Sequence, residues 1–398
     1  MIRNKYYVET IAFLSYVLFA MAWVGGTANM SEIMEAMNVQ SMASASLLSG
    51  AVTLAKIVGT FTAALLALRV GVKWAFLVSA LMVGFGFLTP FSPNYELLLL
   101  SRFAMGLGGA LMIVYFNPIV MQWFSPRERP TINGINAVAF NVGTGIVLWL
   151  IQDINALTGG WQNTLATFSV VSLVLAGLWT LVDFKDRSPQ QKTTQNQEPH
   201  YGYWEGLKDP FVWIYALTFS GLLAFYICVF TFYPQAGIAQ STSVIGFGIL
   251  GTLAGIIYNQ CFPKRLPLIR WSGVALTLAI LGLSFSADSM VQNVSAMVLG
   301  FCIFMPYAAL ITLPQELPGM NGTRVTVIFS IFYAVSYLVA TLVLWVFGWL
   351  VDVNNGSYEM AFALIAVIST TLFVGSFYLP ETGVSPEETQ EGEALASN

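Results

Sequence analysis

The sequence predicts an all-α integral membrane protein of about twelve transmembrane helices, arranged as two six-helix halves. Three observations carry that expectation. Hydrophobic residues make up 57% of the 398 positions and charged residues only 9%, against roughly 25% charge in a soluble chain. The apolar residues gather into runs of about 20, the length that crosses a hydrocarbon core. The charges that remain sort by loop. With the N-terminus inside, every lysine and arginine except Lys56 and Arg102 falls on the inner side, and Glu32, Glu35, Glu96, Asp153, Asp288 and Asp352 take the outer loops.

Taken in order, the first six runs lie near 7–28, 44–68, 73–92, 96–119, 131–152 and 162–183. The segment Met1 to Tyr7 is short and basic, but the apolar run behind it is too long for a signal peptide, so a retained first helix is expected. A polar stretch containing SPQQKTTQNQEPH follows, and six more runs lie near 210–233, 241–261, 267–286, 291–313, 324–349 and 357–379. The expected organisation is an N-terminal half (1–183), a cytoplasmic linker (184–209), a C-terminal half (210–380) and an acidic tail (381–398). The tail carries Glu381, Glu387, Glu388, Glu391 and Glu393 and reads as a solvated end. An even helix number puts both termini in the cytoplasm, in a cytoplasmic (inner) membrane.

Several function classes drop out early. Cys228, Cys261 and Cys302 are scattered without metal-type spacing, and His200 is the one histidine. No phosphate loop or nucleophile motif is present, and the linker is too short for a nucleotide-binding domain. No enzyme, metal or cofactor is therefore expected, and no nucleic-acid partner.

One stretch organises the chain: Ser101 to Gly134, SRFAMGLGGALMIVYFNPIVMQWFSPRERPTING. Arg102 stands near its outer end. Gly106, Gly108, Gly109 and Ala110 are spaced to let neighbouring helices approach closely. Tyr115, Asn117 and Pro118 suggest a polar kink, and Arg127-Glu128-Arg129 marks the inner exit. An internal echo supports duplication. Tyr115 precedes Pro126 as Tyr307 precedes Pro318, and the loops PRERPTING and PGMNGTRVT then occupy equivalent places.

These motifs resemble those of the major facilitator superfamily. Arg102, Gly106, Gly108 and Gly109 are similar to its RxxxGxGG motif, and Trp123 to Arg129 to its WFPPRERG-like loop. The loop between the second and third helices is a degraded form of its GxxxDRxGRR signature. Arg69, Gly71 and Lys73 remain, but Leu68 stands where the aspartate belongs. The fifth helix has Gly134 and Gly143-Thr144-Gly145 but not the proline of GxxxGPxxGG, which separates the chain from drug/proton antiporters. Within the superfamily it looks most like the cyanate and nitrate-type porters. The resemblance implies a secondary transporter whose cavity lies between the halves near the midplane and opens alternately to each side. It assigns coupling or gating roles to Arg102, Arg69, Gly71, Lys73, Arg127 and Arg129.

Lys56 is the most informative residue. It lies thirteen positions before the inner Arg69, about 20 Å along a helix, hence near the middle of the membrane. A lysine there costs about 2.5–3.5 kcal/mol on insertion scales. It reads either as a functional charge or as a structural one bonded to carbonyls. Arg102, about six residues in from Glu96, is within snorkelling reach and divides evenly between structure and function. No Asp or Glu falls in the predicted core of helices two to twelve, and Glu9, near Lys5, is the one acid within reach of an embedded position. A carrier of cations needs a cavity carboxylate, whereas Lys56 would be relieved by an anion. Trp23, Tyr115, Asn117, Asn136, Asn141, Tyr226, Tyr307, Tyr333 and Tyr337 are the remaining substrate-contact candidates. Amides suit oxyanions, although aromatic packing and interhelical bonding account for such residues too. Pro234, Pro306 and Pro314 are candidates for helix interruption.

The expectation is carriage of a small inorganic anion or organic acid, with Lys56 as its main electrostatic contact. If a proton is co-transported, Glu9, Arg102 or Lys56 would titrate. The partners are a small solute and the bilayer, and the architecture permits a monomer. Two alternatives stand: a carrier of neutral or cationic organic solutes, with Lys56 structural or coupling, and a non-transporting receptor, to which Leu68 points.

Overall fold

The computed structural model describes residues 3–39, 42–184, 201–233 and 236–382. His200, Pro234, most of the expected linker and the glutamates after Glu381 lie outside the described residues. The helices are α1 (Lys5–Ala28), α2 (Met30–Ala36), α3 (Met42–Val70), α4 (Val72–Gly84), α5 (Tyr95–Trp123), α6 (Arg129–Thr158), α7 (Trp161–Thr180) and α8 (Tyr203–Lys208). They continue with α9 (Pro210–Thr231), α10 (Ser243–Cys261), α11 (Leu266–Phe285), α12 (Ser289–Phe304), α13 (Tyr307–Thr312), α14 (Gly322–Val353), α15 (Glu359–Ser369) and α16 (Thr371–Gly375). Among the described residues, 11 helical spans are long and apolar enough to cross a membrane. The twelfth predicted run folds as the shorter pair α15 and α16, broken at Thr370.

Local chemistry explains where the helices start. The side chains of Asn4, Asn94, Asp209 and Asp288 each accept a backbone N–H in the first turn that follows, the usual repair for orphaned N-terminal donors. Pro210 opens α9 at a position where no N–H is needed. Gly71 joins α3 to α4 with φ of +79°, a left-handed conformation that side chains with a Cβ disfavour.

The prolines show how strictly the backbone is satisfied. A proline deprives the carbonyl four residues earlier of its donor. Pro118 lies inside α5, and the Asn117 amide donates to Val114 O, the carbonyl so deprived, and to Ile113 O, each at 3.3 Å. The helix runs on to Trp123, with Asn117 bridging the proline position. Pro314 deprives Leu310 O, which accepts the Tyr215 hydroxyl at 2.8 Å. At Pro306 the helix is interrupted, between α12 and α13.

The small residues of α5 act as expected, on three different neighbours. A Cβ at Gly106 would meet Val52 of α3 at 2.9 Å, and one at Gly108 would meet backbone atoms of α4, Ser79 O at 2.5 Å and Val83 N at 2.6 Å. A Cβ at Gly109 would run into the ring of Phe19 on α1. The α5 seam therefore seats α1, α3 and α4 at once.

The chain forms two compact units. One comprises Met1–Phe124, Val138–Gly206 and Gly322–Ala334, and the other Ser125–Ala137, Leu207–Asn321 and Val335–Asn398. The first turns of α6 and α14 thus belong to a different unit from the rest of each helix. Within the first unit, Ser330 of α14 donates to Thr60 O and accepts the Ala64 N–H, both on α3. Within the second, Gln260 of α10 donates to the Thr131 hydroxyl of α6 at 3.0 Å, and the Asn133 amide donates to Thr312 Oγ1 at 2.9 Å and Gln315 Oε1 at 3.2 Å. These segments are the echoed loops of the sequence.

Gly108→Ala forces backbone against backbone, and neither side can give way. The substitution is expected to lower stability by about 1–3 kcal/mol, read as a reduced Tm of the purified protein in detergent. An unchanged Tm would contradict the packing described.

Candidate functional site

The first unit buries two cations, Lys56 and Arg102, at 4% and 0% exposure. Their surroundings differ. Lys56 projects from α3 toward aromatic rings. Its Nζ lies 4.3 Å from the Trp23 ring centroid, 5.1 Å from that of Phe140 and 5.8 Å from that of Phe19. Phe19 and Trp23 are four residues apart on α1, so they share a face. Trp23 meets Phe140 of α6 edge-on at 5.4 Å, and Tyr16 closes the cluster against Phe19, Phe116 and Phe140. Each desolvated cation–π contact contributes up to about 2 kcal/mol. Three such rings are thus of the same order as the ~2.5–3.5 kcal/mol cost of a membrane-centre lysine.

Arg102 faces backbone. Its Nε donates to Leu48 O of α3 at 2.8 Å and its Nη2 to Trp23 O of α1 at 2.9 Å. Gly26 leaves room for the guanidinium, because a Cβ there would collide with Nη1. Arg102 therefore ties α1 to α3 and fixes the backbone of the residue whose ring covers Lys56.

The other predicted contacts divide by location. Tyr115 is buried and donates its hydroxyl to Ala63 O at 2.9 Å, tying α5 to α3. Asn117 bridges the proline position described above. Asn141 is buried on α6, next to Phe140. Asn136 belongs to the second unit; it is 8% exposed, and neither its amide nitrogen nor its oxygen has a hydrogen-bond partner among the described residues. In that unit the phenols of Tyr226, Tyr307 and Tyr337, from α9, α13 and α14, lie close enough to interact electrostatically. Tyr226 packs edge-on against Phe304 at 5.6 Å. Tyr333 falls in the first unit, among Phe329 and Phe332.

The other predicted coupling residues stand near helix ends. Glu9 is buried on α1. Arg69 and Arg127 are exposed. Lys73 donates to the carbonyls of Thr180 and Val182 at the end of α7, and Trp179 Nε1 donates back to Lys73 O at 2.9 Å. Arg129 donates to Gln315 O at 3.4 Å. The second unit also holds an ion pair that sequence reasoning missed. Arg265 grips Glu316 with two nitrogens, at 2.8 and 3.2 Å, and donates to Asn259 Oδ1 at 2.9 Å. Glu316 lies at the end of the Ser289–Glu316 span, just beyond the predicted run. The Glu381 carboxylate accepts the backbone N–H groups of Arg265 and Leu266, at the start of α11.

A family model described as Major Facilitator Superfamily matches residues 12–341. The chain belongs to the Major Facilitator Superfamily, whose members are transporters and not enzymes. It is 28% identical over 229 residues to the uncharacterized protein Cj0987c of Campylobacter jejuni, covering 57% of this chain and 69% of that one. It is 25% identical over 120 residues to a hexuronate transporter of Bacillus subtilis, covering 30% of this chain and 26% of that protein. Among solved structures, that of the proton:xylose symporter XylE bound to 6-bromo-6-deoxy-D-glucose superposes with a TM-score of 0.77 at 15% identity, covering 97% of this chain and 98% of that one.

If the fork of Arg102 joins α1 to α3, Arg102→Met is expected to cost about 1.5–3 kcal/mol for each charged hydrogen bond lost. Arg102→Lys, which keeps the charge but not the fork, should restore little of it. Thermal unfolding of the three proteins measures this, and full rescue by lysine would show that charge alone matters.

Proposed function

We propose that this protein is a secondary active transporter that moves a small anionic solute, an inorganic anion or an organic acid, by alternating access. The observation that carries the reading is Lys56: a basic side chain buried at 4% exposure with its amine over the rings of Trp23, Phe140 and Phe19. Rings hold an ammonium without cancelling its charge. An anion arriving in a low-dielectric interior gains most from such a charge. The Bacillus subtilis relative carries a sugar acid by its name, which agrees with an organic acid here. In the unit of Lys56, Asn141 supplies an uncharged donor and acceptor that suits oxyanions and hydroxyls; in the other unit, taken by itself, Asn136 and the tyrosines Tyr226, Tyr307 and Tyr337 carry the same chemistry. Co-transport of a proton would offset the anion's charge, with Glu9, Arg102 and Lys56 as candidate carriers. The distribution of lysine and arginine supports an inner membrane with both termini cytoplasmic, and the echoed loops support two duplicated halves, 1–183 and 210–380.

A second reading is favoured by the same rings. A box of Tyr16, Phe19, Trp23 and Phe140 also suits neutral or cationic organic solutes through stacking, and Lys56 would then be structural or coupling. The XylE likeness shows the fold alone and does not choose between the two.

Counterflow in proteoliposomes separates them. With D-glucuronate, acetate, nitrate, xylose and choline inside, the wild type is expected to exchange one or more of the anions, and Lys56→Met to exchange them at least about tenfold more slowly, the effect of losing some 1.4 kcal/mol. Exchange of xylose or choline alone, equally by both proteins, would overturn the anion reading. No exchange of any solute would favour a receptor.

A further inference from the structure

We propose that Arg270 and the exposed rings beside it seat the phosphate of an anionic phospholipid, at the membrane interface where α11 begins. The inference is independent of which solute the protein carries.

Arg270 stands about 6 Å along α11 from its first residue, Leu266, near the level at which the Leu266–Phe285 span enters the membrane. Its guanidinium carbon lies 4.0 Å from the centroid of the Phe377 ring. Its Nε donates to Ser376 Oγ at 3.3 Å and its Nη2 to Ser376 O at 3.5 Å, at the end of α16. One turn deeper, a Cβ at Gly273 would meet the backbone N of Phe373 at 2.8 Å, so α11 and α16 touch closely and hold Arg270 against Phe377. One edge of the guanidinium is thereby used. The other, formed by Nη1 and the second hydrogen of Nη2, has no partner among the described residues, and the side chain is half-buried. Paired N–H groups in that arrangement match two oxygens of a phosphate.

The charges and rings nearby indicate a lipid. No acid pairs with Arg270 among the described residues. Glu316 is taken by Arg265, and the Glu381 carboxylate by the backbone N–H groups of Arg265, Leu266 and Thr382. Lys264, exposed and six residues earlier, adds a second cation with no acid partner among them. An anionic headgroup suits two such cations, whereas a zwitterionic one brings an ammonium that no acid is placed to receive. Trp271, Phe377 and Tyr378 are 71%, 57% and 70% exposed. Tryptophan and tyrosine gather where acyl chains meet headgroups, so these rings mark the depth at which a lipid phosphate lies. The first unit carries a similar device: Lys73 and the exposed Trp74 open α4, and Lys73 donates to the carbonyls of Thr180 and Val182. There Asp183 follows at once and pairs with Arg3, so an acid already stands beside the cation. The seat of Arg270 is the one left for an anion.

The test uses the full-length protein in phosphatidylcholine nanodiscs, titrated with phosphatidylglycerol or phosphatidylcholine brominated near the headgroup end of an acyl chain. Bromine quenches a tryptophan that it touches, and the difference between wild type and Trp271→Phe isolates the signal of Trp271. Phosphatidylglycerol is expected to occupy the position beside Trp271 about fivefold more strongly than phosphatidylcholine, the effect of one basic residue at a membrane surface. Arg270→Gln should bring that ratio close to one, and Arg270→Lys, which lacks the paired N–H groups, should keep part of it. Salt tests the wild type without any substitution: about 0.5 M sodium chloride should lower the ratio. Trp149, 69% exposed on a half of α6 that has no lysine or arginine, should show a ratio near one when isolated in the same way. Equal ratios at Trp271 and Trp149, a ratio that ignores salt, or one unchanged in Arg270→Gln would make this ordinary lipid contact and overturn the proposal. Displacement of the brominated phosphatidylglycerol by sn-glycerol 3-phosphate would show a site for free phosphate and overturn the lipid assignment.

Discussion

An ammonium group buried in an apolar bundle must be faced by something, and in this protein aromatic rings face it. That single contact organises the first unit. Trp23 and Phe140 have to meet over Lys56, so α1 and α6 must approach α3 closely. Phe19 has to reach the same nitrogen, so α5 carries no side chain at Gly109. Trp23 has to stay in place, so Arg102 reaches from α5 to its carbonyl. Gly109 and Arg102 on α5, the rings of α1 and α6 and the amine of α3 thus serve one electrostatic requirement across four helices.

The second constraint is the backbone. Hydrocarbon supplies no hydrogen-bond partner, so each carbonyl freed by a proline needs one from the protein. Asn117 serves Pro118 and Tyr215 serves Pro314. Polar side chains in a transporter are readily assigned to the solute, yet Asn117 and Tyr115 are engaged with carbonyls of their own unit. Asn136 differs, since its buried amide finds no partner among the described residues.

Much of the fold was legible because membrane helices are long and their loops are charged. The twelve runs, the small-residue seam and the buried lysine are all written in local composition. The family was legible too, from Arg102 to Gly109 and from Trp123 to Arg129. The cage was not. With 29 phenylalanines, 16 tyrosines and 11 tryptophans in the chain, nothing in the spacing selects Phe140 as a partner of Trp23. The i, i+4 pair Phe19 and Trp23 was the one local signal available. The acceptors of Arg102 and Tyr115 are backbone carbonyls, which every residue has and which therefore leave no trace in a sequence. Glu316 escaped because the apolar run ends before it, whereas Arg265 draws it into a bonded network.

Lys56, with its amine over the rings, is the residue proposed to meet an anion, and it can be observed directly. The chain has seven lysines, so ¹⁵N resonances of their Nζ atoms can be resolved in protein labelled at lysine, with Lys56 assigned by its loss in Lys56→Met. A Lys56 signal displaced by the neighbouring rings is expected, with a further shift of that signal alone when an organic acid is titrated in. A Lys56 signal that ignores every anion, or one that moves only with amines, would contradict it.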